Sequence, residues 1–203
     1  KGLCNLIGHI RNLRDVYHAN VVVAINKFVT DTDGEIALIE QACRGEGADF
    51  ALCECWEKGG EGAVELAKQV VAACDKGDEV TFAYDMDDDI TTKIFKVATK
   101  VYGAAGVEYA AKAEKSIARL EKSGKGKLPI CIAKTQYSFS DDATKLGRPT
   151  GFTLHVKDVE PRGGAGFAVA VCGNIMLMPG LGKRPNALDM TIDDDTQEIK
   201  GLF

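Results

Sequence analysis

Residues 21–28, VVVAINKF, decide the fold class. Valines, an alanine and an isoleucine run without interruption into Asn26-Lys27, the pattern of a buried strand that ends in a polar loop. Upstream, Leu3, Leu6, Ile7, Ile10 and Leu13 recur at helical spacing, so an amphipathic helix precedes the strand. Downstream, Thr32-Asp33-Gly34-Glu35 matches a capping box, in which a hydroxyl and a carboxylate each accept from the other residue's backbone N–H. The spacing of Ile36, Ile39, Glu40 and Cys43 predicts a helix through about Arg44, which Gly45 and Gly47 end. DFALCEC (49–55) reads as a second strand and WEKGGEG (56–62) as a loop. A helix over about 63–74 follows, with Val64, Ala67, Val70, Val71 and Cys74 on its apolar side. Helix, strand, helix, strand, helix implies parallel strands joined by right-handed crossovers, half of a doubly wound α/β sheet. Two strands alone would leave exposed edges.

The texture changes after DKGDEVTFAYDMDDD (75–89), an acidic stretch with turn residues that suits a domain boundary. Helices are predicted over about 89–102 and 110–123, and a short buried strand at LPICIA (128–133). FTLHVKDV (152–159) and GFAVAVCG (166–173) read as strands between turns. The end, from MPGLGKRP onward, reads as mostly irregular, with a last strand near Ile199.

Of the 203 residues, 45% are hydrophobic and 27% charged, an ordinary globular composition. Net charge is −5 and the 25 Lys and Arg are scattered, so the concentrated basic face that nucleic acid requires is missing. No apolar run approaches the roughly 18 residues of a membrane helix. The opening KGLCNLIGHIRNLRDV reads as neither a signal nor a transit peptide. The odd number of cysteines (Cys4, Cys43, Cys53, Cys55, Cys74, Cys131, Cys172), mostly in apolar stretches, reads as buried reduced thiols of a cytoplasmic protein. Cys53 and Cys55 form C-x-C rather than C-x-x-C, and His9, His18 and His155 do not cluster, so metal and redox readings are set aside.

Three loops offer chemistry. Strand 21–26 resembles the base-reading strand of P-loop nucleotide-binding proteins, but Asn26-Lys27-Phe28-Val29 lacks the Asp that would pair with guanine. The position still suits a ligand, because open α/β sheets bind at the carboxyl ends of their strands. CWEKGGEGA carries Trp56, the single Trp, and glycines that run into a helix. An indole there offers a stacking face and the turn offers backbone N–H groups to an anion. The same residues also serve as core filling and a tight turn. The polar segment 133–152 carries Arg148 before Pro149 and suits either a functional loop or an interdomain contact. A Walker loop, G-x-x-x-x-G-K-[ST], is absent: no glycine stands five residues before the Gly preceding Lys125, Lys127 or Lys183. An incomplete sheet without a phosphate loop reads as the C-terminal part of something larger.

In order, VVVAINKF-x-TDT, W-x-KGGEG, LPICIAKTQYSFSDD, LGRP-x-GFT, MPGLGKRP and the final GLF resemble formate–tetrahydrofolate ligase (10-formyltetrahydrofolate synthetase), and most closely its single-function bacterial type. The resemblance spans the whole chain. It implies that residues 1–90 complete a P-loop-containing large domain whose phosphate loop lies upstream, and that 91–203 form a smaller α+β domain. It implies ATP with Mg as co-substrate, formate and tetrahydrofolate as substrates, a monovalent cation as a further candidate, and a homo-oligomer, a tetramer by family. It implies a folate pocket at Trp56 and Leu52, with the pterin between Trp56 and an upstream aromatic. Val29 stands where many members have Pro, so the pocket there loses a fixed φ. Lys58, Gly59 and Gly60 are candidates for an anion contact or loop role. Arg148, Pro149 and Thr150 are candidates for a nucleotide contact. No catalytic or metal-binding residue is expected in this part, and the chain alone is expected to be inactive. The alternative is a stand-alone folate-binding or assembly module from a truncated or split gene.

Overall fold

In a computed structural model, residues 2–77, 79–175 and 183–201 are described. Residues 178–182 of the MPGLGKRP block, and Leu202-Phe203, lie outside them. The first half follows the predicted alternation. Helix α1 (Leu3–Arg11) continues into a π-helical turn, Asn12–Val16. Strand β1 (Val22–Asn26), helix α2 (Asp33–Gly45) and strand β2 (Asp49–Cys53) follow. The capping box at Thr32 and Glu35 forms on both sides, so two backbone donors that the helix start would leave open are satisfied. β1 and β2 pair in parallel, with Val22 opposite Asp49 and Asn26 opposite Cys53. Ile10, Cys43 and Ala48 are buried beside them, with Leu6, Val21, Val23, Ile39 and Phe50 packed around.

Two expectations are corrected here. WEKGGEG is not an open loop: helix α3 (Cys55–Lys58) and a 3₁₀ segment (Gly59–Ala63) lead into α4 (Val64–Asp75). The α4 face that meets the sheet is also different. Ala73 is buried, with Leu66 and Gln69 half-buried on its side, whereas Val64, Val70 and Val71 are exposed. The helix carries two apolar stripes, and a two-stranded sheet can cover only one.

The second half builds a separate core. Helices α5 (Ile90–Lys100) and α6 (Ala111–Lys122) flank a strand unseen in the sequence, β3 (Gly106–Tyr109). β4 (Ile130–Ala133), β5 (Thr153–Arg162) and β6 (Phe167–Cys172) complete a mixed sheet of order β3-β5-β6-β4. β5 runs parallel to β3 and antiparallel to β6, and β6 parallel to β4. Ile90, Ile94 and Ala98 from α5, and Ala113, Ile117 and Leu120 from α6, pack on Leu154, Val156, Val159, Ala168 and Ala170. A bulge in β5 between Val156 and Asp158 inserts one residue, so Val159 rather than Asp158 lies opposite Ala170. That shift explains two consecutive buried positions in a strand that otherwise alternates. A short hairpin, β7 (Thr191–Ile192) with β8 (Ile199–Lys200), lies at the end, near the strand expected at Ile199.

The halves touch through α1 and its π-helical turn. Asn12 Nδ2 donates to Val101 O at 2.8 Å. His9 lies against Phe139, ring centroids 4.8 Å apart.

Candidate functional site

β1 and β2 end side by side, and the loops that follow them meet. Lys27 N donates to Cys53 O at 3.1 Å, carrying the ladder one step past the strand. Asp31 closes the next turn: its carboxylate accepts from Phe28 N at 2.8 Å and its N–H donates to Phe28 O at 3.0 Å. That turn projects Phe28 and Val29 outward, 60% and 80% exposed. Trp56, in the first turn of α3, is 59% exposed, and its indole N–H donates to Lys27 O at 2.8 Å. The ring is therefore anchored at its polar edge while its face stays open. Within these residues Trp56 fills no core. Leu52 is half-buried in β2, opposite Ile25.

The glycines of the second loop have separate jobs. Glu54 N donates to Gly62 O at 3.0 Å, and a Cβ on Gly62 would lie 2.5 Å from the Glu54 carbonyl. Gly59 turns the chain at φ +58, ψ −143, a region closed to side-chain-bearing residues. Glu54 accepts from Lys58 at 2.8 Å and faces Lys27 at 3.8 Å. Lys58, ahead of Lys27, holds that carboxyl below its usual range. Lys58 is thus already paired, and an incoming anion would compete with Glu54. Gly60 lies exposed in the 3₁₀ segment.

Phe28 is an exposed aromatic that the candidate residues read from the sequence did not include. It stands one residue after the carbonyl that holds Trp56. Its place directly after the strand's Asn26-Lys27 was the available signal. Cys53 and Cys55 were also underrated. Their sulfurs lie 3.4 Å apart, Cys55 exposed and Cys53 half-exposed. Buried thiols were expected throughout, but only Cys43 and Cys172 are buried; Cys4, Cys74 and Cys131 are exposed on faces that meet solvent. Burial pushes the Cys172 thiol up to about 12.

Arg148, Pro149 and Thr150 lie elsewhere. The Arg148 guanidinium sits 5.8 Å from the Phe139 ring centre, and its side chain fills the space a Cβ on Gly8 would need. Thr150 packs on Gly103. Among the described residues no hydrogen bond or ion pair joins these three to the Trp56 loops. Segment 133–152 instead seats against α1 around a cavity of about 290 Å³, lined among others by Asn5, His9, Tyr102 and Lys134. Lys134 donates to the carbonyls of Thr135 and Ser138 and lies 4.7 Å from the Tyr102 ring centre. Burial, then Lys134 and Arg148, push His9 down, and burial lowers Lys134. Arg148 makes no ion pair among the described residues. No group of three or more His, Cys, Asp or Glu among them is placed to hold a metal ion, and no described helix is long and apolar enough to cross a membrane.

Parallel strands joined through helices make this an α/β protein, and exposed aromatic side chains stand where open α/β sheets present their carboxyl ends. The family model for formate–tetrahydrofolate ligase matches residues 1–203, and the chain belongs to that family. It is 53% identical over 201 residues to a formate–tetrahydrofolate ligase of Campylobacter curvus (strain 525.92), covering 99% of this chain and 36% of that protein. Identity to the ligase of Campylobacter concisus (strain 13826) is 54% over 202 residues, covering 100% of this chain and 37% of that protein. The ligase of Limosilactobacillus reuteri is 48% identical over 204 residues, again with 36% of its length covered. The chain thus spans little more than a third of the length of the curated relatives it matches.

Proposed function

We propose that this chain works as part of an ATP-dependent ligase that joins formate to tetrahydrofolate, and that its β1 and β2 loops hold the folate. The observation that carries the reading is the pair of open aromatic side chains, Phe28 and Trp56, on loops tied together by the Trp56–Lys27 hydrogen bond. A pterin is flat and partly apolar, so it gains from ring stacking, worth about 0.5–1.5 kcal/mol per pair beyond area burial. In this reading Phe28 supplies the second stacking surface within the chain, Leu52 a wall, and Val29 the rim. Residues 1–90 contribute to the nucleotide-binding large domain and 91–203 form the C-terminal domain.

ATP converts formate to formyl phosphate, a mixed anhydride. The N10 amine then attacks the formyl carbon and phosphate departs. The chain's own residues bind and orient the folate so that N10 reaches that carbon. No Walker loop is present in the sequence, so the 203 residues alone are expected to form no formyl phosphate. Arg148, with Pro149 and Thr150 beside it, is proposed to meet the nucleotide, supported by its unpaired charge near Lys134 and His9. Mg²⁺ and a monovalent cation belong to the family reading. A cytoplasmic homo-oligomer is part of the same proposal. The second reading, a folate-binding or assembly module without turnover, draws on the open edges of the β1–β2 pair.

Trp56 is the only Trp, so its fluorescence reports the site. Tetrahydrofolate is expected to quench it, and Trp56→Ala to weaken binding about tenfold or more. The indole makes one exposed hydrogen bond, so Trp56→Phe should cost stability no more than about 1 kcal/mol. Unchanged emission at saturating tetrahydrofolate would sink the folate assignment. Formyltetrahydrofolate production by the 203 residues alone would sink the expected inactivity.

A further inference from the structure

Cys53 is the last residue of β2 and Cys55 the first of α3, with only Glu54 between them. The Cys53 thiol donates to Cys55 Sγ at 3.4 Å. Cys55 is exposed and Cys53 half-exposed, so a small molecule can reach the pair. The next residue is Trp56. The turn is held by Lys27 N on Cys53 O at 3.1 Å, Glu54 N on Gly62 O at 3.0 Å, Lys58 N on Glu54 O at 2.9 Å, Glu57 N on Glu54 O at 3.2 Å, and the indole on Lys27 O at 2.8 Å.

We propose that Cys53 and Cys55 form a dithiol modification site, which a low-molecular-weight disulfide oxidises to an intramolecular disulfide, and that this oxidation displaces Trp56. In the first step one cysteine, as thiolate, attacks a sulfur of the small disulfide. A protein mixed disulfide forms and one small thiolate leaves. In the second, the neighbouring cysteine loses its proton to solvent and attacks the protein sulfur of the mixed disulfide. The Cys53–Cys55 bond forms and the second small thiolate leaves. Each leaving thiolate takes up a proton, so the protein is oxidised by two electrons and the small disulfide is reduced to two thiols. Proximity favours the second step over a stable adduct, because the resolving sulfur already lies at contact distance. Drawing the sulfurs together from 3.4 Å to bonding distance pulls the first turn of α3 toward the end of β2. Glu54 cannot move freely to accommodate this, because its carbonyl already packs against Gly62. The strain therefore falls on the indole's bond to Lys27.

The consequence for ligand binding rests on the folate reading of Trp56; the dithiol chemistry does not. The test is to treat the protein with excess oxidised glutathione, block remaining thiols with N-ethylmaleimide, and digest with trypsin. Cleavage after Arg44 and Lys58 releases residues 45–58, which contain both cysteines and Trp56 and no other cysteine. The expected peptide is two hydrogens lighter than the reduced form and carries no blocking group. Trp56 emission should shift with oxidation and return with dithiothreitol. Tetrahydrofolate should bind about tenfold more weakly to the oxidised protein, the scale of one lost aromatic contact. Cys55→Ser and Cys53→Ser, each checked for native circular dichroism, should stop at a single glutathione adduct with unshifted emission. Two separate adducts on the wild-type peptide, or two freely blocked thiols, would overturn the dithiol. A disulfide that forms without shifting the emission would overturn the displacement of Trp56. A disulfide that forms and shifts the emission while tetrahydrofolate binding stays unchanged supports the switch and removes the folate role of Trp56 instead.

Discussion

Gly62 and Asp158 show how single residues set local geometry. Gly62 accepts the Glu54 N–H on its carbonyl and leaves no room for a side chain beside the Glu54 carbonyl, 2.5 Å away. Backbone cannot rotate aside as a flexible side chain could, so Gly62→Ala is expected to destabilise the protein by about 1–3 kcal/mol. It should also blunt the response of Trp56 emission to ligand, and a urea midpoint equal to wild type would contradict the contact. Asp158, buried at the β5 bulge, balances opposing effects. Burial pushes its carboxyl up, but Lys112 at 2.7 Å, the Ser116 hydroxyl at 2.7 Å and the Val159 N–H at 2.8 Å outweigh it, and the carboxyl sits below its usual value of 3.8. The charged form is therefore favoured by folding. Its stabilisation is complete above the unfolded value and is lost as pH falls through the lower folded value. Asp158→Asn should be less stable at neutral pH and should show a shallower loss of stability on acidification, measured as urea midpoint against pH. Parallel acid limbs for the two proteins would show that Asp158 is not the group responsible.

At the scale of elements, caps and stripes were legible where they are local. The Thr32–Glu35 box forms as written, and Thr32→Ala is expected to cost about 1 kcal/mol, read from thermal unfolding, because the Glu35 N–H loses its side-chain acceptor and the Glu35 carboxylate loses the Thr32 hydroxyl. Asp89 caps α5 in the same way, accepting from Thr92 N at 2.7 Å. β3 escaped detection for a physical reason. Gly106-Val107-Glu108-Tyr109 is four residues long and has no apolar run. Its strand identity comes from pairing with β5, a partner about 47 positions away in register. The same holds for α4. Spacing shows an apolar stripe at Val64, Ala67, Val70, Val71 and Cys74, but not that the sheet is met by the side bearing Leu66 and Ala73.

Across the whole molecule, the two cores differ in size. Three residues are buried in the cluster around β1 and β2, against fourteen in the cluster of α5, α6 and the mixed sheet. Local opening is least costly where fewest apolar contacts are lost. Amides of β1 and β2 should therefore exchange hydrogen with solvent well before those of β5 and β6. Uniform protection across both sheets would refute a two-core molecule. The halves meet around α1, through Asn12 on Val101, His9 on Phe139 and Arg148 over Gly8, and again through the segment before α5, where Ile130 N donates to Tyr84 OH at 3.1 Å and Lys127 pairs with Asp87 at 2.9 Å.

By itself the sequence determined the alternation of helix and strand up to α4, the capping box, the place of Trp56 directly after β2, and the family, because each is written in local spacing or contiguous motifs. Only the tertiary structure decided that Trp56 is tied to the Phe28 turn through Lys27 O, that Cys53 and Cys55 touch, that Lys58 is taken by Glu54, and that Arg148 belongs to the α1 contact instead of the aromatic loops. Those relations depend on the parallel register of β1 and β2 and on how α1 docks, and both arise from the burial of side chains far apart in sequence.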